Sequence, residues 1–296
     1  MDVMVVNLDR HPERLGRMTK MLNNLGVEFF RIRAVDGNSL SAEQISSIIS
    51  RTPKYELSRS EVACMLSHRT AWTRFLASGK ALCCILEDDV RLSAGFKTLI
   101  ESAALLESLP FHIVKLETMR QPVWLSRKSL PVFDGHRLAR LTSTSAGTAG
   151  YILNRDGANR LMALTATMDR AVDDIMFDDE TLRSGDLTAL QLVPAACIQE
   201  WAYQGKMLSG PLESAIAAER DVLRSAARKK RSGLGKIARE CVRPFEQLLA
   251  VLRRLKEERL VVPFAGDVAP ANDAFSSCLD QPEPLSRPLR KGGRVV

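Results

Sequence analysis

The chain has 296 residues, 45% hydrophobic and 26% charged, with a formal net charge of +7. Those values describe a soluble globular protein with room for one large domain or two small ones, and no apolar run is long enough to span a bilayer. The positive charge is local: 13 basic and 5 acidic residues lie between Arg220 and Arg259, which leaves the rest of the chain close to neutral.

The opening "MDVMVVNLDRHPERL" lacks a basic leader, a long apolar core and a small-residue cleavage site, so no signal peptide is expected and the chain is assigned to the cytoplasm. Asp2 to Leu8 reads as a first strand, apolar and rich in β-branched residues. A helix follows, with Pro12 at its first position, Gly26 at its stop, and Leu15, Met18, Leu22 and Leu25 as its apolar stripe. "VEFFRIRAV" is a second strand, closed by the turn signal Asp36-Gly37. Strand, helix, strand predicts an α/β fold with a mostly parallel sheet.

Ser41 to Ile49 reads as a short helix. "SRSEVACMLSHRTAWTRFLASG" reads as a longer one with Met65, Trp72, Phe75 and Leu76 on one face. Then comes "ALCCIL", an unalternating apolar run of the kind found in strands buried on both faces. Phe111 to Glu117, Gly147 to Asn154 and Leu187 to Pro194 complete the strands, and Asp156 to Leu164 is a helix. Past Pro211 the pattern changes. Leu234, Ile237, Cys241, Phe245, Leu248, Leu252 and Leu255 recur at helical spacing, which predicts a basic amphipathic helical extension interrupted at Pro244. From Pro263 the composition predicts disorder. The expected organisation is a catalytic domain over 1–210, the extension over 211–262 and a disordered tail over 263–296.

The six cysteines are scattered without a C-x-x-C pair, so they are expected to be reduced and no zinc site is expected. Cys83 and Cys84, adjacent on a strand, should face opposite ways, with Cys64, Cys83 and Cys197 buried as small apolar groups.

The chemistry concentrates at Glu87, Asp88 and Asp89, where the "ALCCIL" strand ends. In open α/β sheets ligands sit beyond the carboxyl ends of the strands. Three adjacent carboxylates repel one another and call for a cation, and hard oxygen ligands suit Mg²⁺ or Mn²⁺ together with a diphosphate. The competing reading is a solvated acidic turn. His68 shares a face with Met65 and Trp72, where a histidine is more often a hydrogen-bonded core residue than a ligand. "RKKR" at Arg228–Arg231 could grip phosphate or anionic lipid, or could be a solvated helix face.

Several stretches together resemble glycosyltransferase family 25: "VVNLDRHPERLGRM", "SEVACMLSHRTAW", "CCILEDDV" and "GTAGYILNRDGANRLM", with "VDDIM" and "LVPAACIQ" in support. Their order and spacing agree from about residue 2 to 200. Ser60 stands where the family often has glycine, and the chain after roughly 210 has no counterpart. The resemblance implies a GT-A-like single domain and a nucleotide-sugar transferase, with UDP-galactose as donor and an inverted product on a lipooligosaccharide or other glycan acceptor. A Mn²⁺ or Mg²⁺ ion held by Asp89 with Glu87 or Asp88 would neutralise the leaving diphosphate. The acids not used on the metal would meet donor hydroxyls. Asp173 or Asp174, and after them Glu61, are the candidate general bases, although aspartates at a helix start also serve as caps. Asn7, Arg10 and Arg14 would contact uracil or phosphate, Asp36 with Gly37 the uridine edge, and His68 a metal or sugar. Gly150 and Tyr151 are carried over as donor-side residues.

The basic segment then suggests peripheral attachment to anionic lipid at the cytoplasmic face of the inner membrane through Arg220 to Arg259. Two rivals are a metal-dependent phosphotransferase or phosphatase and a nucleic-acid-binding protein. The neutral body and the scarcity of aromatics, 5%, weigh against nucleic acid as a partner.

Overall fold

The computed structural model describes residues 1–205 and 255–267. Eleven strands run β1 (Asp2–Asn7), β2 (Phe30–Arg33), β3 (Leu82–Glu87), β4 (Val90–Leu92), β5 (Ile113–Lys115), β6 (Pro122–Pro131), β7 (Arg137–Leu141), β8 (Gly150–Asn154), β9 (Ala189–Val193), β10 (Cys197–Gln199) and β11 (Glu257–Val261). The helices are α1 (Pro12–Asn24), α2 (Ala42–Ile48), α3 (Arg59–Ala77), α4 (Phe96–Glu101), α5 (Ala103–Glu107), α6 (Arg155–Leu164), α7 (Val172–Phe177), α8 (Asp179–Ser184) and α9 (Glu200–Tyr203).

Nine strands form one sheet in the order β11-β6-β7-β9-β5-β8-β3-β1-β2, and β4 pairs with β10 in a separate two-stranded ribbon. The sheet is mixed. β1 pairs in parallel with β2 and β3, and β5 with β9, while the other five pairings are antiparallel. The expected mostly parallel arrangement therefore holds for the N-terminal β1–β2–β3 group. It stops at β8, which enters between β3 and β5 running the opposite way.

The strand interiors explain themselves. β1 and β3 are buried on both faces, as their unalternating runs predict. Met4, Val6, Cys83 and Ile85 pack on one side of the sheet, Val3, Val5, Cys84 and Leu86 on the other, so the two adjacent cysteines do face opposite ways. Cys83, Cys84 and Cys197 are buried and free, while Cys64 is only partly covered.

α1 begins at Pro12 and buries Met18 and Leu22 against the second side. α3 starts with a reciprocal capping box: Ser58 accepts from the Glu61 amide and the Glu61 carboxylate accepts from the Ser58 amide. It buries Met65, Trp72 and Phe75 on the first side.

Two expectations for the C-terminal part change. Most of the stretch read as an amphipathic helix lies outside the described residues, but 257–261 is a strand, antiparallel to β6. Its charged residues suit an edge strand, whose outer side meets water. Residues 263–267 are ordered rather than the start of a disordered tail. Phe264 is buried beside Ile198 and Ala202, and Ala195 and Ala265 bond the 263–265 backbone to the body. The catalytic body thus includes a returning segment beyond residue 210.

Candidate active site

The parallel pairing of β1 with β3 sets Val6 opposite Glu87, so both strands end at the same edge. α3 packs on β1, and the β4–β10 ribbon brings Gln199 to Asp89. The result is a cleft of about 300 Å³. Arg10, His11, Arg14, Gly37, Cys64, His68, Glu87, Asp88, Asp89 and Gln199 are among the residues that line it. A volume near 300 Å³ is the lower end of the range for small-molecule sites.

The three acids have different surroundings. Asp88 accepts from Asn7 Nδ2 at 2.6 Å and from Arg14 Nη1 at 3.3 Å, and its backbone carbonyl accepts from Arg17 at 3.0 Å. Glu87 accepts from Thr148 Oγ1 at 3.0 Å and faces His68 Nε2 at 3.3 Å. Asp89 is buried, and Gln199 Nε2 lies 3.2 and 3.4 Å from its two oxygens. Burial first, then the negative fields of Glu87 and Asp88, push the Asp89 carboxyl up to about 7. Arg14 only partly offsets this, and its Nε is buried with no hydrogen-bond partner.

Carboxylates this close repel one another, which a hard divalent cation would relieve. The three acids do not gather their oxygens around one point as Cys64, His68 and Glu87 do, and Arg14 beside them adds a cationic group for an anion.

His68 is held from behind. Trp72 Nε1 donates to the Tyr151 hydroxyl at 2.8 Å, and that hydroxyl meets His68 Nδ1 at 2.9 Å. The Tyr151 oxygen can give its proton to Nδ1 or accept a second one from it, so the ring's tautomer follows what Nε2 meets in the cleft. Tyr151 therefore lies under the site, fully buried, and does not line it. Gly150 is packed against Cys197, and a Cβ there would collide with its sulfur. The carried-over donor contacts at Gly150 and Tyr151 thus become supports for His68 and the β3–β8 pairing.

Other sequence candidates fall in three places. Arg10, Arg14, Gly37, His68 and the three acids line the cleft. Asn7 is buried beneath it, tying Asp88 to the chain turn at His11. Asp36 is ion-paired with Arg10, whose hydrogen bond holds its carboxyl below the usual range, and it also caps the turn at Asn38. Glu61, Asp173 and Asp174 do not line the cleft. Glu61 is buried in its capping box, which uses one of its carboxylate oxygens. Asp173 accepts from the Gly147 amide at 3.3 Å, and Asp174 is bonded to the Tyr55 hydroxyl. Glu61→Gln keeps the box, since glutamine serves equally at that position. Its stability by denaturant titration should stay within about 0.5 kcal/mol of wild type, with transfer unchanged within about twofold.

Several participants escaped the sequence reading. Gln199 sat in a quoted stretch but carried no motif of its own. Arg17 and Arg91 share Glu200, at 2.9 and 2.8 Å. Residues 147–149 link three acids: Gly147 N to Asp173, Thr148 Oγ1 to Glu87, and Ala149 N to Glu117 at 3.0 Å. Glu117 is buried beside Lys115. Burial pushes its carboxyl up to about 7 despite that lysine, and Oε1 has no hydrogen-bond partner.

An α/β sheet that delivers clustered acids and arginines to one cleft at its strand ends has the layout of a ligand-binding site. Comparison with known proteins narrows the class. The family model described as Glycosyltransferase family 25 (LPS biosynthesis protein) matches residues 1–176, and the chain belongs to that family. The lacto-N-neotetraose biosynthesis glycosyltransferase LgtB of Neisseria meningitidis serogroup B is 29% identical over 272 residues, covering 88% of this chain and 98% of that protein. LgtE of Neisseria gonorrhoeae is 27% identical over 275 residues, covering 87% and 98%. The lipooligosaccharide biosynthesis protein lex-1 of Haemophilus influenzae is 29% identical over 209 residues, covering 68% and 67%.

Proposed function

We propose that this glycosyltransferase has a GT-A-like fold and transfers a hexose, galactose from UDP-galactose, with inversion onto a lipooligosaccharide-type glycan. The observation that supports the reading most is the environment of Asp89, a buried carboxylate at a cleft edge with two acidic neighbours and too little positive charge around it.

Asp89, with Glu87 or Asp88, would hold Mn²⁺ or Mg²⁺, which supplies positive charge to the departing diphosphate. Arg14 and Arg10 would bind phosphate oxygens, with the spare Nε of Arg14 as one donor. Gly37 lets its turn pack closely on the start of α3, where a Cβ would press on the Arg59 carbonyl, and so holds that wall of the cleft in place. Asn7 and His68 orient Asp88 and Glu87. Asp173 and Asp174 are retained for the acceptor's proton. They lie on α7, joined to the acids through 147–149, and Asp173 bonds that segment directly.

Calorimetric titration of UDP with and without Mn²⁺ tests the reading. Metal-dependent binding that Asp89→Ala abolishes is expected. A folded wild type that binds no UDP in either condition would remove the transferase reading's main support. Hydrolysis of simple phosphate esters in the same preparations would favour a phosphatase instead.

Among the described residues no helix is long and apolar enough to cross a membrane. We place the enzyme at the cytoplasmic face of the inner membrane, held by the basic residues between Arg220 and Arg259. The full chain should co-sediment with anionic vesicles at low salt, and replacing Arg228–Arg231 with glutamines should weaken that severalfold. Unchanged sedimentation would rule out this contact.

A further inference from the structure

Cys64 and His68 are one helical turn apart on α3 and so share a face. Glu87 meets that face from the end of β3. One ligand atom from each, Sγ, an imidazole nitrogen and a carboxylate oxygen, lie within 4.8 Å of one another. All three residues line the cleft. We propose that they form a second metal site, selective for a borderline-soft divalent cation of the Zn²⁺ class and distinct from the hard-cation site at Asp89.

Four observations point to zinc-class chemistry. First, the donor set contains sulfur. A thiolate selects Zn²⁺ over Mg²⁺, which prefers oxygen alone. Second, the spacing is close to what zinc needs. Zinc bonds of about 2.0–2.3 Å put tetrahedral ligands roughly 3.5 Å apart. His68 Nε2 and Glu87 already stand at 3.3 Å, and the sulfur lies within 4.8 Å of the other two ligand atoms. Third, the histidine has a fixed outer partner. Its Nδ1 meets the Tyr151 hydroxyl, itself anchored by Trp72, so the ring is aimed with Nε2 toward the site. Fourth, the charges balance. A thiolate, a carboxylate and a neutral imidazole cancel the two charges of the ion, at a site where His68 is buried and Cys64 and Glu87 are partly covered. Three protein ligands leave a fourth position open toward the cleft.

The cysteine spacing gave no hint of this, because the ligands come from a helix and a strand rather than from one loop. The bound state needs neither donor nor acceptor, so its test is separate from that of sugar transfer.

The test uses the full-length, reduced protein and Co²⁺ as a spectroscopic probe. Wild type should show a thiolate-to-cobalt charge-transfer band, erased by one equivalent of Zn²⁺ and unaffected by excess Mg²⁺. Cys64→Ser should lose the band, and His68→Gln should weaken zinc binding at least tenfold in a chelator competition. A wild type without the band, or a folded Cys64→Ser that keeps it, overturns the site. Alkylation mapping on the wild type covers the case in which a variant fails to fold. Zn²⁺ should slow iodoacetamide labelling of Cys64 severalfold. Labelling at an unchanged rate overturns the proposal.

Discussion

Asp89→Asn is expected to melt higher than the wild type at pH 8 in EDTA, and to bind no UDP with Mn²⁺. The wild-type carboxyl has a pKa of about 7 in the fold against an ordinary value of 3.8. A raised carboxyl favours the fold while it is protonated. Relative to that state, stability is intact below about 3.8, erodes as pH rises, and is fully diminished above about 7. The cost at pH 8 is at most roughly 4 kcal/mol. The neutral, isosteric amide avoids it, so a gain of about 5–10 °C is expected by scanning calorimetry. At pH 5 the gain should be smaller. With Mn²⁺ present the wild type should rise and the variant should not, since only a competent site is stabilised by its ligand. Stability gained with function lost is the pattern of a group retained for chemistry. A variant that melts lower than wild type in EDTA at pH 8 would instead make Asp89 a structural residue.

Gly147→Ala should be strongly damaging for so small a substitution near the cleft. Gly147 has φ +89°, a region costly for any L side chain, and a Cβ there would lie 2.6 Å from Glu117 Oε2. Glu117 is fully buried and bonded to Ala149, so it has little room to yield. Strain and overpacking together predict a loss of about 2–4 kcal/mol in denaturant titration. Catalysis should fall as well, because the same segment carries Thr148 to Glu87. In a double-mutant cycle with Glu117→Ala, the overpacking part should be recovered and the backbone part, about 1–2 kcal/mol, should remain. Additive losses would show that the carboxylate moves aside.

Much of the interior was legible because burial writes itself into composition. β1 and β3 had to be buried strands, and the acids after β3 had to fall at its end. Strand direction was not legible in the same way. Nothing in "GYILN" says that it runs against β3, since an apolar run reads alike in either direction. β11 was hidden for a related reason: Glu257, Glu258 and Arg259 look like a solvated helix face, and at a sheet edge such residues are equally at home. At the site, adjacency in sequence was a good guide for Glu87 to Asp89 and a poor one for partners. Glu61 entered as an acid on the helix that carries the resemblance, and only the structure shows that the capping box also uses it. Gln199 had no distinguishing type or spacing, and only the β4–β10 pairing brings it to Asp89.

The return of the chain at β11 changes what the basic stretch is. The chain is anchored to the body on either side of 206–254, at α9 before it and at the sheet edge after it, where Arg137 pairs with Glu258 at 2.7 Å and Thr118 Oγ1 donates to the Val262 carbonyl at 2.6 Å. The stretch is therefore a graft sewn in at both ends, not an appendix. A cut from residue 206 onward that discards everything after it is a different operation, because it also strips the border strand from the sheet.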